Sequence, residues 1–216
     1  MILALVSQKG GVGKSTLARV LAAEFTGAGW RVKIGDLDPA QGTSTKWALR
    51  RDEMGTDPEI QVQKYRDAGK AVKDAEGWDL MILDGPAHAE RSGLVMARAA
   101  DLVLVPTGYS VDDLDPQIRV AFDLESAGVD PDRIKLAFCR VNGSAKADQS
   151  ARDFVQRAGL KALQGAIREL PCIRLAHAAG RTAAETGHKA VDAESKALAA
   201  EVSRILTRDN TKGIDQ

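Results

Sequence analysis

Two stretches of the chain, WDLMILD (residues 78–84) and DLVLVPT (101–107), are almost continuously apolar over strand length. A strand with one wet face alternates apolar and polar residues, whereas a strand buried on both faces does not. ILALVS (2–7) and IKLAFCRVN (134–142) read the same way, and WRVKIGD (30–36) is a further strand. EIQVQKY (59–65) alternates and reads as an edge strand. Between these runs the spacing turns helical. In 15–29 the apolar residues are Leu17, Val20, Leu21 and Phe25, and Gly27 and Gly29 end the pattern. Further helices are expected over 64–76, 91–99, 112–127, 145–158 and 188–207. Strands that alternate with helices predict an α/β fold, a doubly wound, mostly parallel sheet with helices on both faces. With 216 residues and no internal repeat, the chain is read as one domain over 1–207 and a polar, frayed tail over 208–216.

In such sheets ligands sit beyond the carboxyl ends of the strands, so chemistry-bearing residues should follow strands. They do. QKGGVGKST (8–16) follows the first strand and nearly matches the phosphate-binding pattern G-x-x-x-x-G-K-[ST], with Gln8 in place of the first glycine and an added Lys9. Gly10, Gly11 and Gly13 let backbone approach an anion closely, and Val12 and Thr16 complete the loop with its helix start. Lys14 can neutralise outer phosphates, and the Ser15 hydroxyl can hold Mg²⁺. Asp84 ends an apolar strand, the usual place for a carboxylate that holds magnesium beside a phosphate loop. Asp84-Gly85-Pro86 also reads as a plain turn. Asp36 and Asp38 follow the strand 30–36 and can position a water or a magnesium ion, or cap the next helix.

KGGVGKST, then DLDP, then MILDGP, then LVLVPT resembles the ParA/MinD family of deviant Walker A, P-loop ATPases, over the first half of the chain and in the family's order. The resemblance implies ATP and Mg²⁺ as ligands and ATP hydrolysis to ADP and phosphate. It assigns Lys9 the signature lysine that crosses a homodimer to the partner's ATP. Lys14 becomes the loop lysine, Ser15 the magnesium hydroxyl, Asp38 the carboxylate tied to the attacking water, and Asp84 the metal carboxylate. It places Arg140 and Asn142 near the adenine and Pro171 to Arg174 near a later base-contacting segment. DPAQGTSTKWALRR is similar to the short plasmid-type partition proteins, with an apparent insertion at Ala40 that shifts Gln41, and Trp47 reads as a packing residue. The start close to the first strand carries the expectation of no preceding DNA-binding domain.

The expected function is DNA partition. Mg-ATP drives a sandwich dimer that binds non-specific DNA, and a ParB-type or ribbon-helix-helix centromere-binding partner stimulates slow hydrolysis. The alternatives are a positioning ATPase for a non-replicon cargo and, on weaker grounds, a metabolic P-loop enzyme. A membrane role would need a basic amphipathic C-terminal helix, which ILTRDNTKGIDQ does not offer. Cys139 and Cys172 are isolated, which argues against a zinc site, a cluster or a disulfide framework, and MILALVSQ lacks a basic lead. The expected location is cytoplasmic, on the nucleoid.

Lys+Arg and Asp+Glu are equal at 30 each, but the distribution is uneven. Residues 133–174 hold nine bases and three acids, while 101–132 hold eight acids and one base. Arg152, Arg157, Lys161, Arg168 and Arg174 are the candidate DNA contacts, against the plain alternative of a solvated helix face. The acidic stretch can repel DNA from one face or receive a basic peptide.

Overall fold

A computed structural model describes residues 1–87 and 90–211, the side chains of Glu90 and of residues 209–211 excepted. The strands are β1 (Ile2–Ser7), β2 (Val32–Asp36), β3 (Gln61–Lys64), β4 (Leu80–Ala87), β5 (Leu102–Thr107), β6 (Ile134–Val141) and β7 (Ala162–Arg168). The helices are α1 (Lys14–Gly27), α2 (Thr43–Glu53), α3 (Ala68–Asp74), α4 (Glu90–Ala99), α5 (Val111–Ser126), α6 (Ala145–Arg157), α7 (Pro171–Ala178) and α8 (Lys189–Thr211). All seven strands form one sheet in the order β3-β2-β4-β1-β5-β6-β7. Every pairing is parallel.

The apolar runs are explained by burial on both sides. Leu3 and Leu5 of β1, Leu80 and Ile82 of β4, and Leu102 and Leu104 of β5 pack with Leu17 and Leu21 of α1 and Leu198 and Val202 of α8. The residues between them, Ala4, Val6, Met81, Leu83, Val103 and Val105, pack with Ala71 of α3, Met96 of α4 and Val120 and Leu124 of α5. Leu136 and Phe138 of β6 add a third cluster with Leu114 and Ile118 of α5 and Val155 of α6. The doubly wound parallel sheet with helices on both faces is the fold observed, and EIQVQKY supplies one of its edges.

Three elements were not expected from the sequence: α2, β7 and α7. β7 is an edge strand with a polar Gln164 and with Gly165, where a Cβ would come 2.7 Å from the Leu198 Cβ. Its glycine serves close approach of α8, which conceals the strand pattern. α2 buries Ser44, Trp47, Ala48 and Arg51, which have helical spacing, but two of the four are polar, so the apolar pattern alone does not show the helix. α7 is eight residues long and opens on Pro171. β2 begins at Val32, not at 30, because the Trp30 N–H still bonds the Phe25 carbonyl at the end of α1, where the two rings pack edge-on at 5.0 Å. α8 runs to Thr211, into the expected tail, and residues 212–216 lie outside the described ones.

Among the described residues no helix is long and apolar enough to cross a membrane.

Candidate functional site

The loop after β1 is organised by Ser7, the last residue of that strand. Its hydroxyl donates to the Lys9 carbonyl (2.6 Å) and accepts from the Lys9 N–H (3.1 Å). Gly13 closes the loop and caps α1 with φ 105°, and a Cβ there would lie 2.7 Å from the Cys139 Cβ. Only glycine satisfies both conditions, and Cys139 is the packing residue behind it. Lys14 is 8% exposed, with Nζ 3.4 Å from both Ser7 Oγ and the Lys9 carbonyl. Burial draws its pKa below the usual lysine value, while the Asp84 and Asp38 carboxylates hold it up. Gly10, Gly11, Gly13, Lys14, Ser15 and Thr16 line a cavity of ≈ 270 Å³. Val12 is buried and is not part of that lining.

Across the cavity stand the carboxylates. Asp36, the last residue of β2, is the register partner of Asp84, which lies inside β4 because that strand runs on through Gly85 and Pro86 to Ala87 and neither ends nor turns at Asp84 as the sequence suggested. Asp84 is buried, and its Oδ2 accepts from the Ser44 hydroxyl at 2.7 Å. Burial raises its pKa against the pull of the Ser44 and Ser15 hydroxyls. Its Oδ1 is buried and makes no hydrogen bond to a described residue. An orphaned carboxylate oxygen beside a serine hydroxyl and a second carboxylate is a hard oxygen set of the kind Mg²⁺ takes. Among the described residues no three His, Cys, Asp or Glu side chains group to hold a metal unaided. Mg²⁺ keeps waters and phosphate oxygens in its shell and takes only one or two carboxylates from a protein.

Asp36 takes the capping alternative. Its Oδ2 accepts from the Thr45 N–H (3.0 Å) and hydroxyl (2.8 Å), and its Oδ1 from the Asp38 N–H (3.2 Å). It therefore ties the start of α2 to the strand end. Asp38 lines the cavity with Gln41, while its Oδ1 accepts from the Gln41 N–H at 3.0 Å. Arg19 also lines the cavity. The residue is 4% exposed, and its guanidinium donates to the Thr43 carbonyl (2.8 Å) and stands over the Trp47 ring at 5.4 Å. Burial lowers its pKa to about 10, with Asp84 opposing. Ser7, Ser44 and Arg19 were missed from sequence. Only Arg19 left a signal, a charge among the apolar residues of α1.

At the mouth of the loop, Lys9 Nζ pairs with Asp113 Oδ1 at 2.5 Å and does not line the cavity. Asp113 lies in the first turn of α5, where Ser110 caps the helix and its hydroxyl donates to Asp113 Oδ2 at 2.7 Å. Arg140 and Asn142, expected near a base, stand differently toward this cavity. Arg140 lines the phosphate-loop cavity, donates to the Gly11 carbonyl and pairs with Glu169. Asn142 accepts from the Ser144 N–H (3.1 Å) beside the start of α6 and is absent from that lining.

The basic segment is less free than its composition implies. Arg152 pairs with Asp148 (2.7 Å) and donates to the Leu163 and Gln164 carbonyls. Lys161 pairs with Asp132 (2.6 Å), Arg168 with Glu194 (2.7 Å), and Arg174 with Glu169. Arg157 stands over the Phe154 ring at 6.0 Å. Asp132 and Glu194 lie outside the 133–174 window, so the window's surplus overstates the local positive charge.

Comparison with known proteins gives four consistent likenesses. A family model described as the CobQ/CobB/MinD/ParA nucleotide binding domain matches residues 3–202. The chromosome-partitioning ATPase Soj of Thermus thermophilus is 32% identical over 165 residues, 62% of this chain. That match spans 66% of Soj's length, just under two thirds. The maintenance of carboxysome distribution protein A of Gloeobacter kilaueensis is 28% identical over 169 residues, 77% of this chain and 76% of that one. The septum site-determining protein MinD of Pyrococcus horikoshii, complexed with Mg-ADP, superposes with a TM-score of 0.73 at 20% identity, covering 93% of this chain and 95% of that one.

Proposed function

Because the chain belongs to the CobQ/CobB/MinD/ParA nucleotide-binding family, we propose that it is a partition ATPase, in which Mg-ATP drives formation of a homodimer that binds non-specific DNA. The observation that carries this reading is the meeting of Lys14, Ser15 and Asp84 in one cavity, with a buried Asp84 oxygen left unpartnered among the described residues. In this reading ATP lays its phosphates on the amides of residues 10–16, and Lys14 neutralises them. Ser15, Asp84 and Asp38 would hold Mg²⁺, which when bound offsets phosphate charge and fixes the phosphate oxygens for attack. Asp38, at the cavity edge, orients the attacking water or shares the metal. Lys9, at the mouth, reaches the ATP of a second copy. Hydrolysis then separates the copies, and a ParB-type or ribbon-helix-helix centromere-binding protein accelerates it. The protein works in the cytoplasm, on the nucleoid.

Titration with ATP and Mg²⁺ tests the core of this reading. The wild type should bind ATP, and Lys14→Ala should weaken binding by about 10–100-fold, the scale of losing a charge-assisted contact. Unchanged binding in Lys14→Ala excludes the loop as the nucleotide site.

DNA binding is tested by cosedimentation with random-sequence duplex at rising salt, with ATP or ADP. Arg152 and Arg168 are poor probes because their removal breaks contacts with β7 and α8. Lys161 and Arg174, 64% and 73% exposed, are better ones. Reversing both to Glu should weaken ATP-dependent binding and lower the salt slope by about two. A slope that does not move sinks the patch.

A second reading, positioning of a cargo other than a replicon, is favoured by the likeness to the Gloeobacter carboxysome-distribution protein. The ATP chemistry is shared, so the identity of the stimulating partner separates the two.

A further inference from the structure

Arg140 is the sole non-glycine residue with positive φ (58°) among the described residues. A bulky side chain in the left-handed region is strained, and such strain persists where the side chain has work to do. Its position at the end of β6 sends the guanidinium back across the phosphate loop. There Nη1 donates to the Gly11 carbonyl and Nε to the Glu169 carboxylate. Glu169 follows β7 and also holds Arg174. The Glu169 hydrogen bond raises the Arg140 pKa above its ordinary value, and Asp113, the partner of Lys9, adds to that. Charges of alternating sign therefore ring the mouth of the loop: Lys9, Asp113, Arg140, Glu169, Arg174.

We infer that Arg140 is a strap on the phosphate loop, a positioning residue that fixes the Gly11–Val12 peptide for nucleotide binding by holding the Gly11 carbonyl from an anchor on Glu169. The inference rests on the reading that ATP occupies this loop. Gly10-Gly11-Val12-Gly13 is the most conformationally free run of backbone in the site. A peptide plane is rigid and trans, so a hold on the Gly11 carbonyl also sets the direction of the Val12 N–H. Ordering that plane before ligand arrives removes an entropy cost from binding. The two-acceptor geometry explains why the residue is an arginine. Its planar fork serves the carbonyl and the carboxylate at once, whereas a lysine presents a single point of charge.

The test uses Arg140→Gly and Arg140→Lys in the full chain, reading ATP affinity and thermal midpoint. Glycine relieves the left-handed strain, so its midpoint should not fall below that of the wild type. Its ATP dissociation constant should rise about tenfold, the scale of one hydrogen bond from a charged donor. Arg140→Lys should not restore wild-type affinity. Wild-type ATP affinity in either variant overturns the strap and leaves the nucleotide reading standing. A wild type that binds no ATP overturns both.

Discussion

Lys9→Ala should bind ATP within about twofold of the wild type and lose hydrolysis by ~10³-fold, the scale seen when a cation supplied in trans is removed from a phosphoryl-transfer site. The sparing of affinity follows from geometry. Lys9 is 44% exposed, lies outside the cavity lining, and spends its charge on Asp113. Lys14, the loop amides and Asp84 remain in place without it. The loss of hydrolysis follows from the proposed dimer, in which the phosphoryl group of one copy is reached only by Lys9 of the other. Equilibrium binding of a fluorescent ATP analogue and single-turnover phosphate release measure the two halves separately. Hydrolysis at the wild-type rate removes Lys9 from the chemistry. A parallel loss of affinity would make it an ordinary ligand of the chain's own nucleotide.

Arg51→Ala should cost about 3–5 kcal/mol of folding stability, the range for breaking a buried ion pair by removing one partner. In a chain of this size that is a fall of about 10 °C in thermal midpoint. Arg51 is fully buried, and all of its N–H donors are engaged. Nη1 and Nη2 reach the two Glu185 oxygens at 2.9 and 2.8 Å. The carbonyls of Gly180, Asp57 and Pro58 take the remaining donors at 3.0, 2.8 and 2.9 Å. One guanidinium thus joins α2, the loop after it, and the α7–α8 connection. The backbone has moved in to meet it, since a Cβ on Gly180 would lie 2.5 Å from the Arg51 backbone. Burial pushes the Glu185 pKa up, but the hydrogen bond and charge of Arg51 outweigh it and leave the value below the ordinary one. A depressed carboxylate contributes its stability above its unfolded pKa and loses it as pH falls through the folded value. The variant should therefore show a shallower loss of stability in acid than the wild type. Pairing Arg51→Met with Glu185→Leu removes the stranded charge yet leaves three carbonyls without a donor, so rescue should be partial. Chemical denaturation measures each variant, and a loss under about 1 kcal/mol for Arg51→Ala would show the hub to be replaceable.

The sequence revealed elements whose burial is simple. β1, β4 and β5 are covered on both faces, so their runs 2–6, 80–83 and 102–105 are apolar at every step, and the loop that follows β1 carries its own chemistry in its spelling. Elements held by particular contacts were opaque. Nothing in ALQGAIR announces a strand until Leu198 of α8 is seen lying on Gly165. Nothing in TSTKWALRRDE announces a helix until Trp47 and Arg51 are seen inside the protein. Ser7 and Ser44 were hidden because a serine at a strand end or in the first turn of a helix reads equally as a local cap. The basic segment misled for a different reason. Charge counted along a window ignores partners brought from elsewhere, and Lys161 and Arg168 are matched by Asp132 and Glu194.

Trp47 gives the site an optical consequence. Its indole is fully buried, donates through Nε1 to the Arg181 carbonyl at 3.0 Å, and has the Arg19 and Arg51 guanidinium groups each 5.4 Å from its ring centre. Excitation moves electron density within an indole, so the colour of its emission follows the electric field along that displacement. Arg19 lines the phosphate cavity on one side and stands over the ring on the other. The protein thus carries a built-in voltmeter, a buried chromophore that one of its two neighbouring guanidinium groups, Arg19, connects to the cavity, so that an anion entering there alters the field at the ring.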